Sequence, residues 1–351
     1  MHIDIQVKNT EIVLPFEVKK SEQLLYAALR SGISLPYECA SGTCGTCKAK
    51  IIEGSVTNLW EEASGNVFIR KDKNEILLCQ SAAISNCTLE IRSLGTPRYD
   101  TIFTPDYCYG IINRAGMLTN DVQLIELKLN RPMNYLAGQF ILVKAPGIDG
   151  FRAYSMVDRD KGNDSLELVI KRKSGGKLSD FLFKSNIQGS QLEIFGPLGH
   201  ATFDCEKDLN SDLICAAGGT GIAGILAILF EASNAKHFES HRATVCFGVN
   251  SELELFFVDR LSFLARQHSD NLKIIISISN GDLSEHLKNL YPELNFIKGF
   301  VNEALVNENF SNLKNPICFL AGPPLAVEAC TTFLLKNNIV DPSKIRFDRF
   351  G

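Results

Sequence analysis

The chain has 351 residues, 45% of them hydrophobic and 22% charged, with a formal net charge of -4 at pH 7. That length holds two or three domains with packed cores, and the weak negative charge offers nothing to a nucleic-acid backbone. No apolar run reaches the roughly 18 residues that span a bilayer, and Met1-His2-Ile3-Asp4 lacks the layout of a signal peptide, so the expectation is a cytoplasmic protein without membrane or nucleic-acid partners.

Residues 2–18 alternate apolar and polar around a turn at Lys8-Asn9-Thr10, which predicts a β-hairpin. Ser21 is the expected cap of a short helix with Leu24, Leu25, Ala28 and Leu29 on one face. A loop rich in Gly and Cys follows: Cys39-Ala40-Ser41-Gly42-Thr43-Cys44-Gly45-Thr46-Cys47, with Cys79 further on. The spacing C-x4-C-x2-C plus a distant cysteine is that of plant-type 2Fe-2S clusters, in which each iron takes two thiolates beside two bridging sulfides. Zinc sites usually pair two short Cys or His units, and here there is one C-x2-C, an x4 arm and no second pair. Gly42 and Gly45 let the backbone wrap the sulfurs closely. The other cysteines are scattered, and Cys215, Cys246 and Cys318 fall in apolar strand-like runs as small buried hydrophobes. Short strands continue to Leu94, and Gly95-Thr96-Pro97 opens a linker placed at 96–105, which sets off a first domain at 1–95.

Residues 106–207 carry close-spaced strands at Tyr109–Asn113, Val122–Leu129, Phe140–Ala145, Leu166–Lys171 and Gln191–Phe195, with one helical stretch at Lys177–Phe183. That spacing predicts a small antiparallel barrel. Within it stand Arg152-Ala153-Tyr154-Ser155 and the basic turn Lys171-Arg172-Lys173-Ser174-Gly175-Gly176-Lys177-Leu178-Ser179. A basic, Gly-rich turn opening a helix aims free N–H groups at an anion, although a solvated hairpin turn has the same composition.

Residues 208–351 alternate strand-like runs (Leu213–Ala217, Ala243–Phe247, Lys273–Ile278, Ile317–Leu320) with helix-like stretches (Gly221–Ala232, Leu253–Gln267, Leu325–Lys336). That order predicts a parallel sheet with helices on both faces. The first strand runs into Gly218-Gly219-Thr220-Gly221-Ile222-Ala223-Gly224, a G-x-G-x-x-G between strand and helix, where glycines let a dinucleotide phosphate approach the helix start.

The motifs in this order resemble a plant-type ferredoxin joined to the ferredoxin–NADP reductase superfamily. Leu35-Pro36-Tyr37-Glu38-Cys39 resembles the lead-in to the ferredoxin cluster loop. The barrel resembles the superfamily's FAD domain, with R-x-Y-S followed by G-x-x-S and closed by Phe195-Gly196-Pro197-Leu198-Gly199. That resemblance implies that Arg152, beside Ala153, pairs with the flavin diphosphate. Tyr154 then lies against the isoalloxazine, and Ser155 faces the N5 edge where hydride arrives. Gly176, Lys177 and Ser179 hold the pyrophosphate. The run Gly218, Gly219, Thr220 and Gly221 resembles G-G-T-G-I-A, beneath the pyrophosphate and nicotinamide. Ala321-Gly322-Pro323-Pro324 resembles the C-G-P-P loop that walls the nicotinamide, with Ala321 in place of the usual cysteine. Phe350 is the implied aromatic cover of the flavin ring, with Phe347 a core residue.

The resemblance puts the superfamily's adenosine-ribose contact at Asn250 and Ser251, and family members often carry an arginine at the place of Asn250. Glu252 and Glu254 follow, and Arg242 and Arg260 lie outside this loop. A 2′-phosphate calls for a cation, so the expected donor is NADH. The whole chain resembles the reductase components of bacterial multicomponent oxygenases. Pro36-Tyr37-Glu38-Cys39, the stretch Glu53–Trp60 and the ending Phe347-Asp348-Arg349-Phe350 are most similar to toluene-monooxygenase reductases. This implies a multidomain α+β and α/β protein: a β-grasp 2Fe-2S ferredoxin domain, an antiparallel β-barrel FAD domain at 106–207 and a parallel-sheet NAD-binding domain at 208–351. Electrons would pass from NADH through FAD and the cluster to an oxygenase hydroxylase component or an intermediary Rieske-type ferredoxin. Two other readings share some of these modules: a reductase feeding a deoxysugar-biosynthesis dehydrase, and a binding module that senses redox state without turnover.

Overall fold

A computed structural model describes residues 1–95, 104–157 and 164–350, and most of the expected linker falls outside these residues. In the first segment β1 (His2–Val7) and β2 (Val13–Glu17) form the hairpin, with His2 opposite Glu17. Next come helix α1 (Leu24–Arg30) and strands β3 (Lys48–Glu53), β4 (Val56–Asn58), β5 (Glu75–Leu77), β6 (Ser81–Ala83) and β7 (Cys87–Ile91). The sheet order is β2-β1-β7-β3-β5, β1 and β7 running parallel, while β4 pairs with β6. A parallel pair needs a long crossover. Here the crossover carries α1, whose Leu24, Leu25, Ala28 and Leu29 are fully buried, as a β-grasp requires. Ser21 does not cap this helix. It sits in the left-handed region with φ +62°, and Gln23 occupies the cap position without a side-chain bond.

The second segment contributes β8 (Asp106–Met117), β9 (Val122–Leu129), β10 (Phe140–Lys144), β11 (Arg152–Ser155), β12 (Ser165–Lys171), helix α2 (Lys177–Leu182) and β13 (Gln191–Leu198). Their order is β11-β10-β13-β8-β9-β12, the barrel-like sheet expected. β9 and β12 pair antiparallel from Lys128 opposite Ser165 to Val122 opposite Lys171.

The third segment holds β14 (Leu213–Gly218), α3 (Ile222–Asn234), β15 (Ala243–Val249), α4 (Val258–Gln267), β16 (Leu272–Ile278), α5 (Glu285–Leu290) and β17 (Asn295–Lys298). It ends with α6 (Val301–Val306), β18 (Ile317–Gly322), α7 (Pro324–Lys336) and β19 (Ile345–Arg349). All six strands are parallel, in the order β17-β16-β15-β14-β18-β19. Successive side chains point to opposite faces of a strand. Leu213, Cys215 and Ala217 enter one core, and Ile214 and Ala216 the other, so helices cover both faces. Burial pushes the Cys215 thiol up to about 12, which makes it an inert hydrophobe. The stretch expected as one helix from Leu253 breaks at Phe257, which is left-handed at φ +59° while its ring packs edge-on against Phe256 at 5.2 Å.

By their internal contacts the residues gather into two compact units. One is Met1–Tyr109 with Ile141–Ala153 and Gln191–Leu198. The other is Gly110–Phe140 with Tyr154–Ser190 and the chain from Gly199 on. Among the described residues no helix is long and apolar enough to cross a membrane.

Candidate functional site

In the first unit the cluster loop is wound by left-handed residues: Ala40 at φ +51°, Gly42 at +92° and Gly45 at +77°. A Cβ on Gly45 would stand 2.6 Å from the Phe68 ring, and one on Gly42 would stand 2.9 Å from Gln80, so both positions need glycine for space as well as for φ. The winding aims three backbone N–H groups at Cys39 Sγ: Ser41 at 3.5 Å, Thr43 at 3.3 Å and Cys44 at 3.4 Å. The Cys44 thiol also bonds this sulfur, and together these donors hold Cys39 at about 4, well inside the thiolate range, while Cys44 is raised in return.

Cys47 and Cys79 form a second pair, Sγ to Sγ 3.2 Å. Cys79 is pushed up by its bond to Cys47, by burial and by the charge of the other cluster-loop sulfurs. Among the described residues no three His, Cys, Asp or Glu side chains converge as a single metal ion needs. Four free cysteines in two pairs, with three backbone N–H donors on Cys39, fit a two-iron cluster with two thiolates per iron.

The flavin motif lies on β11. In the first unit Arg152 is half-buried, its Nη1 donates to the Phe151 carbonyl at 2.9 Å, and its guanidinium lies 4.6 Å from the Trp60 ring centroid. Ala153 follows in the same unit, and Tyr154 and Ser155 begin the next stretch of the second unit. In the second unit Gly176 occupies the cap position of α2, and Lys177 is exposed in its first turn. The buried Ser179 hydroxyl accepts from Lys173 N at 3.1 Å and faces the Lys173 and Gly176 carbonyls, so it closes the turn. It shapes the N–H cradle instead of extending from it.

The nucleotide motifs meet in the second unit. The strand order reverses between β14 and β18, and the crevice at such a switch point, beyond the carboxyl ends of the strands, is where doubly wound sheets bind ligands. Gly218 to Gly221 and Ala321 to Pro323 leave these two strands side by side. A Cβ on Gly221 would lie 2.4 Å from the Ala321 carbonyl oxygen, and one on Gly218 would lie 3.0 Å from Pro323. A Cβ on Gly224, at the start of α3, would meet the Ser155 side chain at 3.6 Å, so the dinucleotide motif and the end of the flavin strand are neighbours.

Phe350 N donates to the Gly322 carbonyl at 3.1 Å, which ties the last described residue to the same crevice, while Phe347 packs in the opposite core. Asn250 and Ser251 leave the carboxyl end of β15, one strand over from the glycines, with the Asn250 carbonyl accepting from Asn280 N at 2.8 Å. Glu252 accepts a bond from Ser284 N. Arg260 is bound to Glu167 at 3.0 Å, and Arg242 precedes β15 at the other end of the strand. One neighbour escapes sequence reasoning: Lys171, at the end of β12, pairs with Glu254 at 2.8 Å and with Asp121 at 3.3 Å. No local pattern links residues so far apart in the chain.

Comparison with known proteins agrees with this geometry. The family described as 2Fe-2S iron-sulfur cluster binding domain matches residues 11–83, and the oxidoreductase FAD-binding domain matches residues 110–203. The ferredoxin–NAD(+) reductase component of the alkene monooxygenase system of Xanthobacter autotrophicus is 30% identical over 339 residues, covering 95% of this chain and 97% of that protein. This chain belongs to the ferredoxin–NAD(P)(+) reductase components of oxygenase systems. The reductase is also 28% identical over 341 residues to the phenol 2-monooxygenase reductase component of a Pseudomonas species, covering 97% of this chain and 92% of that one. Among solved structures, the ferredoxin reductase in carbazole 1,9a-dioxygenase superposes with a TM-score of 0.82 at 26% identity, covering 100% of this chain and 99% of that one. The reductase is therefore an oxidoreductase carrying a 2Fe-2S domain and an FAD domain ahead of its parallel-sheet domain.

Proposed function

We propose that this reductase takes a hydride from NADH and delivers single electrons, through FAD and its 2Fe-2S cluster, to the hydroxylase component or an intermediary ferredoxin of an oxygenase system in the cytoplasm. The observation that carries the reading is the pairing of four cysteines in one chain with a dinucleotide crevice that abuts Ser155. Bound FAD supplies the exchange between two-electron and one-electron couples that neither nicotinamide nor cluster provides.

The protein's share is placement. Cys39, Cys44, Cys47 and Cys79 hold the irons. Arg152 meets the flavin diphosphate, with Ala153 and Tyr154 along the ring, while Gly176, Lys177 and Ser179 present the charged turn. Gly218, Gly219, Thr220 and Gly221, with Gly322 and Pro323, seat the nicotinamide half of the nucleotide, and Asn250 and Ser251 take the ribose. Ser155 and Phe350 flank the place where hydride crosses, one at the edge and one as the ring's cover. Glu252 and Glu254 disfavour a 2′-phosphate, which supports NADH as donor. Eleven cysteines without a disulfide suit a reducing compartment.

An anaerobic titration with NADH tests this. Flavin absorbance should bleach, and the cluster should then become paramagnetic in proportion to bound iron. A flavin that bleaches while the cluster stays oxidised would remove the cluster from the route.

A further inference from the structure

Trp60 follows β4, on a turn fastened to the cluster loop. Ala63 N and Asn66 Nδ2 hold the Trp60 carbonyl at 3.2 and 3.4 Å. Gly65 N donates to the Gly42 carbonyl at 2.9 Å, and a Cβ on Gly65 would stand 2.8 Å from that oxygen, so the two loops are in close backbone contact. Facing this turn in the same unit is Arg152, its guanidinium 4.6 Å from the indole centroid. The guanidinium has a second anchor. Its Nη1 donates to the Phe151 carbonyl at 2.9 Å. The Phe151 ring meets Tyr26 edge-on at 5.5 Å, and Tyr26 stacks on Phe195 at 4.7 Å. The Tyr26 hydroxyl donates to the Ala40 carbonyl at 2.9 Å, one residue from Cys39.

A guanidinium stacked on an aromatic ring uses its π face and keeps its N–H donors in the plane, where the fork for phosphate oxygens lies. A free arginine samples many rotamers, and one clamped between an indole and a backbone carbonyl has lost that freedom before any ligand arrives. We infer that Trp60 is a positioning residue for flavin: the ferredoxin domain supplies an indole that orients Arg152 for the FAD diphosphate. This rests on the reading of Arg152 as the diphosphate partner.

The test is the dissociation constant for FAD, followed by flavin fluorescence on dilution of the full chain with its iron content verified. Trp60→Leu keeps bulk and loses the π face, and should weaken FAD binding about three- to tenfold, the range of a partly desolvated cation–π contact. Trp60→Phe should stay within about twofold, since the face is retained. Arg152→Ala should weaken binding about ten- to a hundredfold, and Trp60→Leu added to it should cost nothing more, because the indole acts through the arginine. Should Trp60→Leu lose iron, Trp60→Met replaces it in the same comparison. If Arg152→Ala weakens FAD and the Trp60 variants do not, or if the two losses add, the positioning role is overturned alone. If Arg152→Ala leaves FAD affinity unchanged, the diphosphate reading falls and the positioning role with it.

Discussion

Gly221→Ala is the sharpest probe of the nucleotide crevice. The glycine needs no left-handed backbone, so the substitution isolates space from strain. A Cβ there would lie 2.4 Å from the Ala321 carbonyl oxygen, 2.6 Å from its carbon and 2.9 Å from Gly322 N. Ordinary contact begins at 3.4 Å, and these neighbours are backbone, so no side chain can swing away. The two loops must part by about 1 Å, a displacement that can cost about a hundredfold in rate when it falls on the groups that seat a substrate. Overpacking of this size also costs roughly 1–3 kcal/mol of stability, which a protein of this length can bear with its fold intact. The expected result is normal iron and FAD content, normal flavin reduction by dithionite, and kcat/KM for NADH lowered about a hundredfold, close to 2.7 kcal/mol of transition-state binding. Steady-state kinetics with ferricyanide, which accepts electrons from flavin directly, measures this. A kcat/KM within about twofold of the parent would refute the placement of the nicotinamide between these loops.

Cys44→Ser should strip or destabilise the cluster while FAD stays bound, so ferricyanide reduction persists and cytochrome c reduction collapses; unchanged iron and sulfide across the serine variants of Cys39, Cys44, Cys47 and Cys79 would contradict the ligand set. NADH should be preferred over NADPH by at least about tenfold in kcat/KM, and Glu254→Gln should narrow the gap by removing an acid beside the ribose loop and one of the two carboxylates that hold Lys171, the nearer at 2.8 Å; equal use of NADPH by the parent protein would overturn the ribose assignment. Burial holds His237 at about 4 against an ordinary 6.5, and neither ring nitrogen finds a partner among the described residues. The unfolded chain therefore binds a proton that the folded one refuses between those values, and as pH falls through that window the fold loses up to about 3 kcal/mol. Thermal melts from pH 7 to 4 should show that loss flattened in His237→Leu, and parallel curves for the two proteins would rule the residue out.

The legible part of the sequence was whatever is written in neighbouring residues. The spacing of Cys39, Cys44 and Cys47 states its chemistry without any fold, because thiolates and small residues must alternate closely to wrap a cluster. β9 reproduces the expected Val122–Leu129, since its alternation is regular on a half-buried face. The β14 to α3 turn announces itself through glycines that only a close backbone approach explains.

The failures share a cause. Ser21 has the chemistry of a cap, but the chain turns through it left-handed and the helix starts later, at Leu24. Phe257 breaks a helix that propensity would continue, because the core takes the ring and the backbone gives way. β17, α5 and α6 were not foreseen, being four to six residues each, too short for a period to register. The same limit hides contacts between distant strands. Trp60 and Arg152 are far apart in the chain, as are Lys171 and Glu254, and nothing local to any of these residues announces its partner. Short motifs therefore disclose which cofactors a chain holds, while the side-chain pairs that join distant strands are visible only once the sheets are assembled.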